Sequence, residues 1–248
     1  MTCEACRTIP PVISQGYEPK GEYNIIAGLN TYKTGNLSST TAIIDIYDIF
    51  GISPQTIQGA DLLAARLNTL VLVPDFFKGK GAQHDWYPMD TEDKTKAMMG
   101  FFREYAQFEP NVGVLKNALE EYKVAFPAVE KWGIFGLCWG GKVTALSSGE
   151  GTPFVASGQV HPGLMDKADA EKITIPHIVL ASKDEPADVV QQYTEIIGQN
   201  GTGGLVETYE KMWHGWMGAR ADLDGEESVK EYRRGYEQLA AFFEQHFK

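Results

Sequence analysis

Several things are scarce in this chain of 248 residues. It has only three cysteines, Cys3, Cys6 and Cys138, too few for a disulfide framework. No run of about 18 apolar residues occurs, which excludes a membrane-spanning helix. The N-terminus lacks the charged-then-apolar order of a secretory signal. Basic residues are outnumbered, 22 against 33 acidic, for a net charge of −11 without long acidic blocks. That balance argues against nucleic acid or an anionic membrane as the main partner. These absences lead to an expectation of a reduced, cytoplasmic protein acting on a small molecule, as a monomer or homodimer.

What is present is a globular composition, with 43% hydrophobic and 22% charged residues. Residues 1–20 are Pro-rich and weakly periodic, and read as an N-terminal arm on the surface. Residues 21–248 read as one α/β domain. Strand-like runs at Tyr23 to Tyr32, Thr41 to Ile46, Leu70 to Val73, Trp132 to Leu137, Phe154 to Val160, Ile175 to Ala181 and Leu205 to Tyr209 alternate with helical patterns. The first two strands are expected as antiparallel neighbours. Ser53-Pro54 marks a helix start, with Ile57, Ala60, Leu63, Ala64 and Leu67 on one face. Helices are expected at about 92–108, 112–125, 142–148, 189–197 and 229–247, and Phe76 to Pro88 reads as a loop over a site. This alternation predicts a mostly parallel sheet with helices on both faces.

The strand Trp132 to Leu137 runs into Gly136-Leu137-Cys138-Trp139-Gly140-Gly141 and then a helix. This is the pattern of a nucleophile on a sharp strand-to-helix turn, with Cys in place of Ser. Glycines are needed where side chains would strike neighbouring backbone. The helix N-terminus favours the thiolate and supplies amide donors, Trp139 N–H among them. The bland alternative is a buried structural cysteine. In chain order an acid and then a base follow, each just past a strand end, namely Asp184 in Ala181-Ser182-Lys183-Asp184 and His214 in Trp213-His214-Gly215-Trp216. Asp184 also suits a helix N-cap, and Glu185 and Asp188 stand close enough to compete with it. His214 pairs with Cys138, and the acid orients the imidazole. His161 ends a strand before Pro162-Gly163 and is a candidate lining residue.

With these residues placed, the chain resembles the dienelactone hydrolase (carboxymethylenebutenolidase-like) family from about Tyr23 onward. The marks are Tyr47-Asp48-Ile49-Phe50-Gly51, Val73-Pro74-Asp75, the Cys138 turn, Asp184 and His214-Gly215-Trp216. The resemblance implies an α/β-hydrolase fold, a Cys-Asp-His triad, and no metal or organic cofactor. It implies the Ile49 N–H as a second oxyanion donor and Asp48 as a carboxylate that gates the thiol, where relatives usually carry Glu. The family's substrate-binding arginines have no counterpart in Phe76-Phe77-Lys78-Gly79-Lys80, which leaves Arg220 as the candidate anion-binding group. Phe76, Phe77, Trp86, Tyr87, Trp139 and Trp216 suggest a bulkier or more apolar acyl group, with Lys78 beside them. The expected reaction is cleavage of an ester or lactone through a Cys138 thioester. Acyl transfer by the same residues, and a non-catalytic binding protein on this fold, are the alternatives. A thiol oxidoreductase reading rests on Cys3-Glu4-Ala5-Cys6, which lies outside any strand-to-helix turn.

Overall fold

A computed structural model describes residues 4–13 and 16–248. The Cys-x-x-Cys reading falls on Cys3 and the Cys6 side chain, which lie outside the described part.

A short helix α1 (Glu4–Thr8) is followed by strands β1 (Glu22–Ile26), β2 (Leu29–Gly35) and β3 (Thr41–Ile46). Then come α2 (Pro54–Leu67), β4 (Leu70–Pro74), a single 3₁₀ turn (His84–Trp86), α3 (Glu92–Glu104), α4 (Phe108–Ala125) and β5 (Lys131–Leu137). The chain continues through α5 (Trp139–Leu146), β6 (Ala156–Val160), α6 (Lys167–Ala170), β7 (His177–Ser182), α7 (Ala187–Gln199), β8 (Leu205–Tyr209) and α8 (Glu226–His246). The expected stretch Tyr23 to Tyr32 is two strands. Ala27 and Gly28 both take positive φ (54° and 74°), a turn that reverses the chain, and β1 pairs antiparallel with β2.

The eight strands form one sheet in the order β1-β2-β4-β3-β5-β6-β7-β8. Among the described residues, only the β1–β2 and β2–β4 pairings are antiparallel. β2 therefore neighbours β4 and not β3, contrary to the expected pairing. The reason is that β3, buried over nearly its whole length, takes the interior place between β4 and β5. Strands with no exposed face need cover on both sides. One cover is α2 packed on α8, so close at Gly59 that a Cβ there would lie 1.9 Å from the Tyr236 ring. The other is the row α4, α5, α6, α7.

The order also locates the site. From β3 the chain steps outward to β4, then returns to β5 on the other side of β3. Connections diverge there, and a crevice opens beyond the carboxyl ends of the two strands. The residues after β3 are Tyr47-Asp48-Ile49, and the residue after β5 is Cys138.

Candidate active site

Cys138 occupies the turn between β5 and α5 with φ 51° and ψ −106°, a conformation L-residues rarely adopt. Such strain persists only where the surroundings over-determine it. Here they do. A Cβ on Gly136 would lie 2.0 Å from the Gly140 carbonyl carbon, and one on Gly140 would lie 2.1 Å from the Ile46 oxygen. The Cys138 N–H donates to the Val160 carbonyl at 3.0 Å, and its own carbonyl accepts from Gly141 and Gly163. The turn is thus bolted to β3, to β6 and to its own helix, with the thiol buried at the mouth of the sheet.

Two loops bring the partners. The loop after β8 carries His214, fully buried and hydrogen-bonded to the Cys138 side chain. The loop after β7 carries two acids, and the structure separates their roles. His214 Nδ1 lies 2.6 Å from Glu185 Oε1, both side chains being buried. Asp184 instead accepts the backbone N–H of His214 at 2.8 Å. The acid facing the imidazole is therefore Glu185, not Asp184 as read from the sequence. The physical reason is the local turn. The Ser182 hydroxyl takes the Asp184 N–H, and the Ser182 N–H binds the second oxygen of Glu185, which aims Glu185 inward. Asp184 remains half-buried and ties the two loops together, along with the Lys183 N–H on the Met212 carbonyl.

Burial opposes a charged imidazole, but at His214 the negative charge and hydrogen bond of Cys138, followed by Glu185, prevail and hold it well above the usual histidine range. A positive charge on that ring would in turn favour the thiolate beside it. His161 is the opposite case. Its ring stands 5.3 Å from that of His214, fully buried, and neither ring nitrogen has a hydrogen-bond partner among the described residues. Burial, with His214 and Arg220 nearby, holds it well below the usual range, so it stays neutral.

Asp48 lies fully buried after β3, with one oxygen accepting from the Phe50 N–H (3.0 Å) and the other from Ala219 (2.8 Å). Burial and the Cys138 charge push its carboxyl up to about 6, against the pull of those amides and of Arg220. It therefore acts on the thiol electrostatically. Ile49 and Trp139 line the same slot as Cys138. Trp139 opens α5, so its N–H belongs to a first turn that has no acceptor in its own helix. Ile49 N–H has no hydrogen-bond partner among the described residues.

The slot over Cys138 is lined by Ile49, Phe102, Phe108, Trp139, Gly163 and Leu164 and has about 10 Å³ of free volume. That is room for about one water. Phe102 and Phe108, from the α3–α4 corner, carry no sequence signal beyond being aromatic.

The other candidates distribute unevenly. Phe76 is buried against Tyr47 and Trp139, and Trp216 is buried and stacked on Tyr209 at 4.3 Å. Both are packing residues that line neither the slot nor the groove described below, because burial of large rings in the core competes with exposure in a site. Lys78 sits at the exposed tip of a turn with φ 53°. Trp86 packs edge-on to Phe101. Arg220 is wholly buried. Its guanidinium covers the Phe50 ring at 4.7 Å, its Nε donates to the Ile9 carbonyl, and its charge bears on Asp48. It fastens the N-terminal arm onto the site. Val12 N–H on the Ala219 carbonyl and Gln55 on the Val12 carbonyl add to that hold.

Comparisons with known proteins place the chain in a family. The sequence pattern of the dienelactone hydrolase family matches residues 27–247. An uncharacterized AIM2 family protein of Schizosaccharomyces pombe is 34% identical over 93% of this chain and 93% of its own. A carboxymethylenebutenolidase homolog of Xenopus tropicalis is 34% identical over 52% of this chain and 49% of its own. A solved dienelactone hydrolase of Anabaena variabilis superposes with a TM-score of 0.64 at 11% identity, covering 93% of this chain and 99% of that one. The fold is the α/β-hydrolase fold, and the chain belongs to the dienelactone hydrolase family.

Proposed function

We propose that this member of the dienelactone hydrolase family hydrolyses a carboxylic ester or lactone through a thioester on Cys138, with His214 as base and Glu185 as the acid that orients it. The observation that carries the reading is the continuous contact from the Cys138 sulfur through the His214 ring to the Glu185 carboxylate. The thiolate attacks the substrate carbonyl, and the oxyanion is received by the N–H groups of Ile49 and Trp139. The imidazolium protonates the departing alkoxide, so the alcohol leaves and a thioester remains. His214 then takes a proton from water, which attacks the thioester and releases the acid and the thiolate. Asp48 holds a negative charge against the thiolate above about pH 6 and so restrains it until substrate arrives. Arg220 fixes the arm, and His161 stays neutral beside His214. A catalytic thiol works only while reduced, which fits a cytoplasmic setting.

The test is a panel of p-nitrophenyl esters, lactones and acyl thioesters, assayed with wild type and Cys138→Ala, together with intact-mass measurement after acid quench. The expected result is turnover lost in Cys138→Ala by a factor on the order of 10⁴ or more. A mass increment equal to the acyl group should appear on the wild type alone. Equal turnover by both proteins sinks the mechanism.

A further inference from the structure

Next to the Cys138 slot lies a groove of about 510 Å³, walled by Met89, Met98, Met99 and Phe102 and flanked by Arg7 and Arg103. It is separate from the slot but shares one wall, since Phe102 lines both. The floor is apolar and adaptable, because methionines fill irregular space with little directional preference. Met99 is 65% exposed, a large apolar side chain left facing water. The charge is the reverse of the molecule's. In a chain of net charge −11 the groove has two arginines and no carboxylate in its lining. Neither arginine is ion-paired among the described residues. Arg7 also borders a neighbouring hollow with Glu4 and Asp90, and Asp90 is taken by Lys94 at 2.8 Å. Arg7 is held at the rim by its backbone, whose carbonyl accepts the Met89 N–H at 3.0 Å.

We infer that this groove receives the acyl chain of the substrate, an unbranched aliphatic chain ending in a carboxylate, with the reacting carbonyl at Cys138 and the far anionic end between Arg7 and Arg103. The inference rests on the hydrolase reading above and assigns its substrate class. The acyl side, not the alcohol side, belongs here. The leaving alkoxide must stand by His214 to take its proton, and His214 lines neither the slot nor the groove. The chain passes at Phe102, whose ring must swing to join the two spaces. Apolar walls supply affinity in proportion to chain length. The arginines supply selection for the terminal charge, and that part weakens with salt.

Two measurements test it. The first compares p-nitrophenyl hydrogen suberate with p-nitrophenyl octanoate, esters of equal chain length with and without a terminal carboxylate. Wild type should prefer the suberate hemiester in kcat/KM. The preference should fall about fivefold to tenfold in Arg7→Gln/Arg103→Gln, through KM for the suberate hemiester. The second needs no turnover. In Cys138→Ala protein carrying carbon-13 methionine methyls, titration with octanoate places its carboxylate at the arginines and its tail toward the slot. The Met89, Met98 and Met99 signals should shift saturably, while Met165, Met212 and Met217 stay still. The shifts should vanish in the double arginine variant. Equal treatment of both esters, or methyl signals that do not respond to octanoate, overturns the groove assignment. Methyl shifts in a protein that cleaves no ester leave the groove standing and remove the hydrolase reading instead.

Discussion

Around Cys138 the chain is locked by approaches that no added atom survives, with backbone 2.0 Å from the Cβ position of Gly136 and 2.1 Å from that of Gly140. The α3 rim is built differently. Met99 lies 65% exposed, Phe102 is half-buried, and Gly100 on the same helix has nothing within 4 Å of its Cβ position. The first region is positioned by close main-chain contact, the second is walled by side chains with room around them. On the proposed reading, chemistry that needs a fixed nucleophile sits in the first, and choice of substrate, which tolerates variation, sits in the second. Changes in the locked region should alter rate in steps, and changes at the rim should alter substrate preference by degrees.

The largest effect expected is at the acid, where two neighbours in sequence differ in contact. Glu185→Gln should lower kcat by about 10²–10⁴, the range seen when a base loses its orienting carboxylate. Asp184→Asn, which removes the charge but keeps an oxygen to accept the His214 backbone N–H, should lower it a few-fold at most. Steady-state assays of the two variants with one ester decide between them, and the reverse ranking returns the role to Asp184.

A middle-sized effect belongs to the rim. Phe102→Ala opens the wall shared by slot and groove. Alkylation of Cys138 by iodoacetamide should speed up about tenfold, since reagent access limits a thiol in a space of about one water. If the rate is unchanged, Phe102 is not the barrier.

The smallest effect concerns Asp48. Its carboxyl is raised from 3.8 to about 6 in the fold, so stability is lost as pH rises between those values and the full cost of the ionised form is present above 6. Asp48→Asn should therefore raise the melting temperature at pH 8 and leave it nearly unchanged at pH 4. The same variant should alkylate about two- to fivefold faster at pH 7–8, because no carboxylate then opposes the thiolate, and should lose the inflection near pH 6.

What was legible in the sequence follows the same division. Gly136, Cys138 and Gly140 could be read because main-chain crowding leaves only glycine possible and the pattern is local. His214 could be read from its place just past a strand. The sequence does not separate Asp184 from Glu185. Asp184 and Glu185 are chemically equivalent, and only the turn made by Ser182 decides which one points at His214. Phe76 and Trp216 look like site aromatics in sequence, yet packing claims them. The Tyr23 to Tyr32 stretch reads as one strand because alternation continues across it, whereas the turn depends on the two positive φ values at Ala27 and Gly28. The groove had no sequence signal, since Arg7 and Met99 meet only through the fold of the arm against α3.

The space of about 10 Å³ above the sulfur also makes the protein a sieve. Reagents should rank by bulk before they rank by electrophilicity. Hydrogen peroxide, nearly the size of water, should reach the sulfur ahead of any alkylating agent. A preparation kept without reductant would then lose its activity to sulfenic and sulfinic acid while still appearing resistant to thiol-specific inhibitors.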